Sequence, residues 1–463
     1  MRTPCSFDRR HLLKGAAWLG ALLASGGASA RVHPATATGV RPHLLIRNAT
    51  LLTMDARLGT LSQGDVEVRD GQIIAVAAHH SAAGAQIIDA RGMLLIPGLV
   101  DAHWHLWNSG LRNYAPTAER QPYFKAMAAV SQRFTPALSY LGVRIGLAQA
   151  AEAGITTVNN WAHNLRSPEH ASAELNAMAE SGLRGRFWYG YRQDLPADAP
   201  MDYADLERRL GQANGLLDFG LAARGPERTP AGIWQAEWAF ARQHRLPIST
   251  HIGVTAQAQA KQGLQQLAQA NGLGADVQLV HGTHLSDEDL RAVAGSGASL
   301  CLTPLTELRV GYGLAPLPRL LAAKVPLSLG IDTLTLAGNA NPYQVMQATL
   351  GLATGLAEDE MALSPQQVLY WMTQGGADSL GLGGKVGSIT PGKRADLVLI
   401  DSRRLGLLPL TDPAAAVVQA ASPSDVDTVI ADGRVIKRGG LLIGIDTREL
   451  AAEANKAWKH LAG

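Results

Sequence analysis

The stretch PGLVDAHWHLWNSG, Pro97 to Gly110, ends an apolar run with His103 and His105 one residue apart. Residues two apart on an extended chain point the same way, so both imidazoles can reach one ion. Other short apolar runs also end in ligand-type groups. His251 closes LPISTHIG, His281 lies in VQLVHGTHLSDEDL with His284 three residues on, and Asp332 closes PLSLGIDT. Imidazole with carboxylate is a ligand set for a borderline divalent ion such as Zn²⁺. A lone H-x-H is a weak signal, and a lone Asp after a strand is more often a helix N-cap. The ordered combination of H-x-H, His, His and Asp is much harder to obtain by chance.

These residues need a scaffold that brings distant strand ends together. HLLIRNATLLTM, DVEVRDGQIIAVA and AQIIDARGMLLIPG alternate apolar and polar residues, with Asp70-Gly71 as a hairpin turn. Similar strands return in GSITPGKRADLVLID and VDTVIADGRVIKRGG, with Asp432-Gly433 as a second turn. A small β domain built from both chain ends is expected, with a large α/β domain between. Inside that insert, strands are expected at Leu94–Val100, Ile155–Asn160, Gly185–Tyr189, Phe219–Ala223, Pro247–Thr250, Val277–Val280, Ser299–Leu302 and Leu327–Ile331. Each is followed by a helical pattern, which indicates a parallel sheet. Eight such units over roughly 250 residues match a (β/α)₈ TIM barrel, whose active site forms where strands end. A doubly wound open sheet is the alternative, but no Gly-rich dinucleotide fingerprint follows an early strand.

The expected segments are a signal at 1–30, a leader at 31–42, β-sandwich parts at 43–96 and 385–440, the barrel at 97–384 and a C-terminal helix at 441–463. Of the 14 histidines, His33, His43, His79, His80, His170, His244 and His460 read as surface residues, and His11 falls in the signal. Net charge is +2, from 41 basic and 39 acidic residues, which gives no electrostatic reason to expect nucleic acid or an anionic membrane. The N-terminal FDRRHLLKGAAWLGALLASGGASA has adjacent arginines, a short Gly- and Ala-rich apolar run and a small-residue cleavage site at Ala28-Ser29-Ala30. It resembles a twin-arginine export signal, which implies a periplasmic or secreted protein. Cys5 lies in that segment, leaving Cys301 alone, so neither a disulfide nor a thiolate cluster is expected.

The motifs PGLVDAHWH, THIG, VHGTHLSDEDL, LGIDT and GSITPGKRADLVLID resemble the amidohydrolase superfamily of metal-dependent hydrolases over nearly the whole mature chain. The likeness is to its mononuclear branch, which includes nucleobase deaminases and triazine chlorohydrolases. Binuclear branches carry a bridging lysine at an early strand end; GLRGRFWYGYR offers Arg186, Tyr189 and Tyr191 but no lysine. The resemblance implies one divalent ion, zinc or else iron, held by His103, His105, His251 and Asp332. It also implies that His281 hydrogen-bonds the hydrolytic water and that Asp332 carries its proton.

The chain departs from this branch at one position. Many of its deaminases have a glutamate three residues after the strand 5 histidine, where this chain has Val254. Valine cannot protonate a ring nitrogen. Candidate residues on the substrate side are His163, Arg224, Glu227, His284, Glu307 and Trp107. Glu227 reads equally well as a cap, and Glu307 as a helix terminus or a partner of Arg309. The long segment LRNYAPTAERQPYFKAMAAVSQRFTP after strand 1 is expected to line or cover the site. The expected function is hydrolysis of a non-peptide C–N bond in a small, cyclic molecule. Deamination of an amino-heterocycle is the alternative, and a non-catalytic periplasmic binding protein is the reading from another class. The expected partner is a small-molecule substrate, with no nucleic acid and no membrane after signal cleavage; homo-oligomerisation stays open.

Overall fold

The computed structural model describes residues 41–114 and 121–462. The expected export signal, nearly all of the leader, the centre of the long first loop (115–120) and the His460 side chain lie outside the described residues. Among the described residues no helix is long and apolar enough to cross a membrane.

The chain begins with β1 (Leu44–Leu52), β2 (Thr60–Arg69), β3 (Gln72–Ala77), β4 (Gln86–Asp89) and β5 (Met93–Pro97). Eight barrel strands follow: β6 (Leu99–Trp104), β7 (Ile155–Ala162), β8 (Arg184–Tyr189), β9 (Leu217–Ala222), β10 (Ile248–Ile252), β11 (Val277–His281), β12 (Ser299–Leu302) and β13 (Leu327–Leu329). The chain then returns through β14 (Leu397–Asp401), β15 (Val426–Ala431), β16 (Arg434–Arg438) and β17 (Leu441–Leu442) to a final helix, Thr447–Ala462.

Both chain ends meet in one nine-stranded mixed sheet, in the order β17-β16-β15-β14-β5-β1-β2-β3, with β4 beside β1. The seam is the antiparallel pair β5–β14, in register from Leu397 opposite Pro97 to Asp401 opposite Met93. Leu44, Ile46, Leu51, Val66, Val68, Leu95, Leu397 and Leu399 bury one continuous core across that seam. Both expected hairpins form. Asp70 and Gly71 have φ of 52° and 76°, and Asp432 and Gly433 have 51° and 80°. Positive φ at both central residues is what a type I′ turn requires.

The barrel strands run in sequence order with parallel neighbours throughout. They are buried on both faces and rich in Val, Ile and Leu, as parallel sheets flanked by helices require. The barrel closes where Asp332, just past β13, bridges Trp104 at the end of β6. Arg184 at the start of β8 ties the barrel to the mixed sheet through buried ion pairs with Asp396 and Asp432, each at 3.1 Å.

Four expectations change. The run Leu94–Val100 is two strands, because the chain passes from the mixed sheet to the barrel at Gly98. Only glycine fits there, since a Cβ would run into the Thr156 side chain. His103, His251 and His281 lie within their strands instead of after them. The C-terminal helix starts at Thr447, after the short strand β17. His170 is buried in the helix Pro168–Ser181, where its ring bonds the Phe134 carbonyl (3.2 Å) and the Ser167 hydroxyl (3.0 Å).

The same helix carries Glu174, fully buried and bonded by Asn160 Nδ2 of β7 at 2.9 Å. Burial pushes its carboxyl up to about 8. The unfolded chain releases that proton near about 4.3. Between these limits the native state binds more protons, so stability is present at low pH and is lost as pH rises towards 8. Glu174→Gln, which keeps the acceptor without the titration, should flatten the fall in Tm between pH 5 and pH 8. An unchanged pH slope in the variant would contradict this role for the carboxyl.

Candidate metal and hydrolytic site

The ends of β6, β10, β11 and β13 converge on one buried cluster. Strand alternation puts His103 inside, and the chain continues to His105 on the same side. His103 Nε2 and His251 Nε2 face each other at 3.2 Å. Asp332 Oδ1 lies 3.2 Å from His105 Nε2 and 3.7 Å from His103 Nε2. Two ligands at about 2.05 Å from a tetrahedral ion would sit about 3.3 Å apart. The observed separations therefore fit a shared divalent ion, and three imidazole nitrogens with one carboxylate are a donor set such an ion takes. The four residues that the sequence singled out as ligands fall into two close donor groups that share His103: His103, His105 and His251, and His103, His281 and Asp332.

The surroundings prepare these groups. His105 Nδ1 lies 2.9 Å from the Trp161 carbonyl. A carbonyl only accepts, so Nδ1 carries the hydrogen and Nε2 presents its lone pair. Burial pushes His103, His105 and His251 well below the usual imidazole range, so all three are neutral. Burial pushes Asp332 up to about 7, with Glu307 adding to the rise and His281 opposing it.

His281 Nδ1 faces Glu307 Oε1 and Thr303 Oγ1, both at 3.2 Å. Glu307 also accepts the Thr303 N–H at 2.8 Å. The carboxylate fixes the His281 tautomer, leaving Nε2 turned towards Asp332 Oδ2 at 4.0 Å. Both His281 and Asp332 have positive φ, 73° and 67°. For residues with a Cβ this is strained backbone, held only where surroundings impose it.

The other sequence candidates divide. His163 is at the cluster, with its ring 4.1 Å from that of His105 and its Nδ1 accepting from Trp107 Nε1 at 3.3 Å. Burial, with the charge of Arg228 adding, pushes His163 down to about 3. Trp107 is fully buried behind His163 and packs on Phe134, so it positions the histidine and does not wall the cavity. Glu307 acts through His281, not as a partner of Arg309. Arg224 is corrected to a scaffold residue. Its Nε pairs with Glu237 at 2.8 Å, and its other nitrogens donate to the carbonyls of Pro196 and Ala199. Glu227 accepts the Gly253 N–H at 2.9 Å and so holds the end of β10. The His284 ring donates to the Tyr312 carbonyl at 2.7 Å and braces that loop.

Several residues near the cluster were not singled out by sequence. Tyr123, the first residue of the helix Tyr123–Ser131 within the long segment after β6, interacts with Asp332, Thr333 and Asn108. Tyr312 packs on His281 at 5.2 Å and Phe124 stacks on Tyr312 at 6.2 Å. Arg228 is exposed, and its charge acts on His103, His163 and His251. The length of the first loop was the one sequence signal for the first of these.

Gly330 lets β13 approach β6. A Cβ there would sit 2.7 Å from the His103 carbonyl oxygen and 2.8 Å from its backbone nitrogen. Gly330→Ala should therefore displace His103 and weaken zinc binding by about 10- to 100-fold in chelator competition, the usual cost of a disturbed ligand support. Unchanged zinc affinity would show that the close approach does not set the ligand.

Comparison with known proteins agrees with this geometry. The profile of the amidohydrolase family matches residues 94–436. The chain is 27% identical over 424 residues to the 5-methylthioadenosine/S-adenosylhomocysteine deaminase of Acetivibrio thermocellus, covering 88% of this chain and 97% of that one. Among solved structures, an adenosine deaminase from Xanthomonas campestris with bound zinc superposes with a TM-score of 0.82 at 24% identity, covering 92% of this chain and 100% of the other. Atrazine chlorohydrolase from Arthrobacter aurescens, complexed with zinc, gives a TM-score of 0.78 at 21% identity, covering 89% and 99%. With a profile spanning most of the chain and the histidine–aspartate cluster at the barrel mouth, the chain belongs to the amidohydrolase family.

Proposed function

We propose that this chain is an exported, metal-dependent hydrolase that deaminates a small amino-heterocycle, using a single divalent ion held by His103, His105, His251 and Asp332. The observation that carries the reading is the convergence of three neutral imidazoles and a carboxylate beside His281. The relatives at 27% identity, named as deaminases of adenine-containing compounds, favour an amino-heterocycle. The twin-arginine-like N-terminus supports export. As an amidohydrolase, the chain acts on carbon–nitrogen bonds other than peptide bonds.

When bound, the ion supplies Lewis acidity and lowers the pKa of a water from 15.7 to about 7. The protein supplies the rest. Asp332 takes the proton of the attacking water and returns it to the departing nitrogen. His281 Nε2, its tautomer set by Glu307 behind it, accepts a hydrogen bond from the water whose oxygen adds to carbon. Neutral His163 gives the inner wall a further hydrogen-bonding edge beside His105.

Val254 is half-buried three residues past His251 and offers no proton. A substrate ring nitrogen therefore has no acid at that position. This favours heterocycles whose reacting carbon is already electrophilic over plain adenines. Metal-loaded protein should convert members of an amino-heterocycle panel with ammonia release and an NH-to-O mass change. His103→Ala should remove that activity by about three orders of magnitude or more; full activity in His103→Ala would refute the site. Val254→Glu should raise turnover of adenosine-type substrates by about 100-fold, the usual worth of a positioned acid. No gain there would mean that proton supply at this position does not limit the reaction.

A further inference from the structure

Four buried arginines of the barrel, Arg184, Arg186, Arg209 and Arg224, are each tied to a carboxylate. Arg184 pairs with Asp396 and Asp432, Arg186 with Asp218, Arg209 with Asp205 and Arg224 with Glu237. Arg228 lies in the same βα loop as Arg224, after β9, and forms no ion pair with any carboxylate of the described residues. The neighbouring Glu227 is engaged at the Gly253 N–H instead. The loop is not slack, because the Arg228 N–H donates to the Gly225 carbonyl at 3.2 Å and fixes the turn.

The Arg228 side chain is exposed to solvent, yet its charge is felt by Tyr191 and Tyr312 beside the cluster. Its charge reaches His103, His163 and His251. On one side it meets Tyr191, whose buried hydroxyl lacks a close hydrogen-bond partner and faces the guanidinium. Tyr191 packs on Trp161 at 6.0 Å, and Trp161 packs on His251 at 4.5 Å. On the other side its charge reaches Tyr312, the residue packed on His281. A permanent cation is thus held near enough for its charge to act on His103, His163 and His251, among phenols and neutral imidazoles. A divalent ion in the histidine cluster would share the cavity with it, and two cations there repel unless an anion lies between them. The planar guanidinium fork matches a carboxylate with two parallel hydrogen bonds.

Resting on the hydrolase reading above, we propose that the substrate is a small heterocyclic acid whose carboxylate is held by Arg228 and the Tyr191 hydroxyl while the ring presents its C–N bond to the metal cluster. Arg228 is then a specificity-determining residue. Because the Arg228 charge acts on the cluster histidines themselves, a carboxylate on or next to the ring is favoured over one at the end of a long nucleoside arm.

The test uses the full, zinc-loaded chain with 6-aminonicotinate, 2-aminopyrimidine-5-carboxylate and cytosine-5-carboxylate, each beside its primary amide. Binding is read by calorimetry and thermal shift, and turnover by ammonia release. At least one acid should bind the native chain about tenfold or more tighter than its amide. Arg228→Gln should erase that preference, and Arg228→Lys should retain part of it. An unchanged melting temperature without ligand serves as the folding control, since the side chain is exposed. Equal binding of acid and amide across the panel, or a preference that survives Arg228→Gln, would overturn the proposal. Arg228-dependent acid binding without ammonia release would count against deamination while upholding the anchor. Turnover indifferent to Arg228 would uphold the hydrolase and overturn the anchor alone.

Discussion

Closure of the barrel between its last and first strands is the constraint on which the site depends. The Asp332 N–H donates to the His103 carbonyl, and the His105 N–H donates to the Asp332 carbonyl, each at 2.7 Å. These two backbone bonds carry residues more than two hundred positions apart into one cluster. They also bring the carboxylate against both imidazoles of the H-x-H pair. Gly330 makes the approach sterically possible, and the positive φ of Asp332 is the local cost of turning that carboxyl inward.

Burial then sets the chemistry. Removed from water, the histidines of the cluster stay neutral and offer lone pairs, and the Asp332 carboxyl is pushed up to about 7. Acceptors that cannot themselves donate choose the tautomers: the Trp161 carbonyl for His105 and the Glu307 carboxylate for His281. The mixed sheet contributes from a distance. Its two halves join at β5–β14, and the buried pairs of Arg184 with Asp396 and Asp432 fix it to the start of β8.

Much of this was legible in the sequence because it rests on period and spacing. Short apolar runs alternating with amphipathic segments gave the barrel. The Asp-Gly pairs gave both hairpins, and the ordered H-x-H, His, His and Asp gave the cluster. The break at Gly98 was not legible, since an apolar run crossing two sheets looks like one strand; only the Thr156 contact reveals it. The fate of Arg224, Glu227 and His284 was hidden for a related reason. A charged residue at a strand end can face the site or brace the loop, and the choice depends on partners far along the chain, such as Glu237 or the Tyr312 carbonyl. Arg228 went unnoticed because its distinction is the lack of such a partner.

Val254 and Arg228 are two sides of one change. The cavity has no acid after the β10 histidine, and it holds a cation that the scaffold leaves unpaired. Both features rest on a single ion being bound at the barrel mouth. X-ray absorption at the zinc edge of the loaded chain, with metal content measured on the same sample, tests that most directly. The account predicts one zinc per chain with a first shell of imidazole nitrogens and carboxylate or water oxygen. Two metals with metal–metal scattering, or a first shell without imidazole, would contradict it.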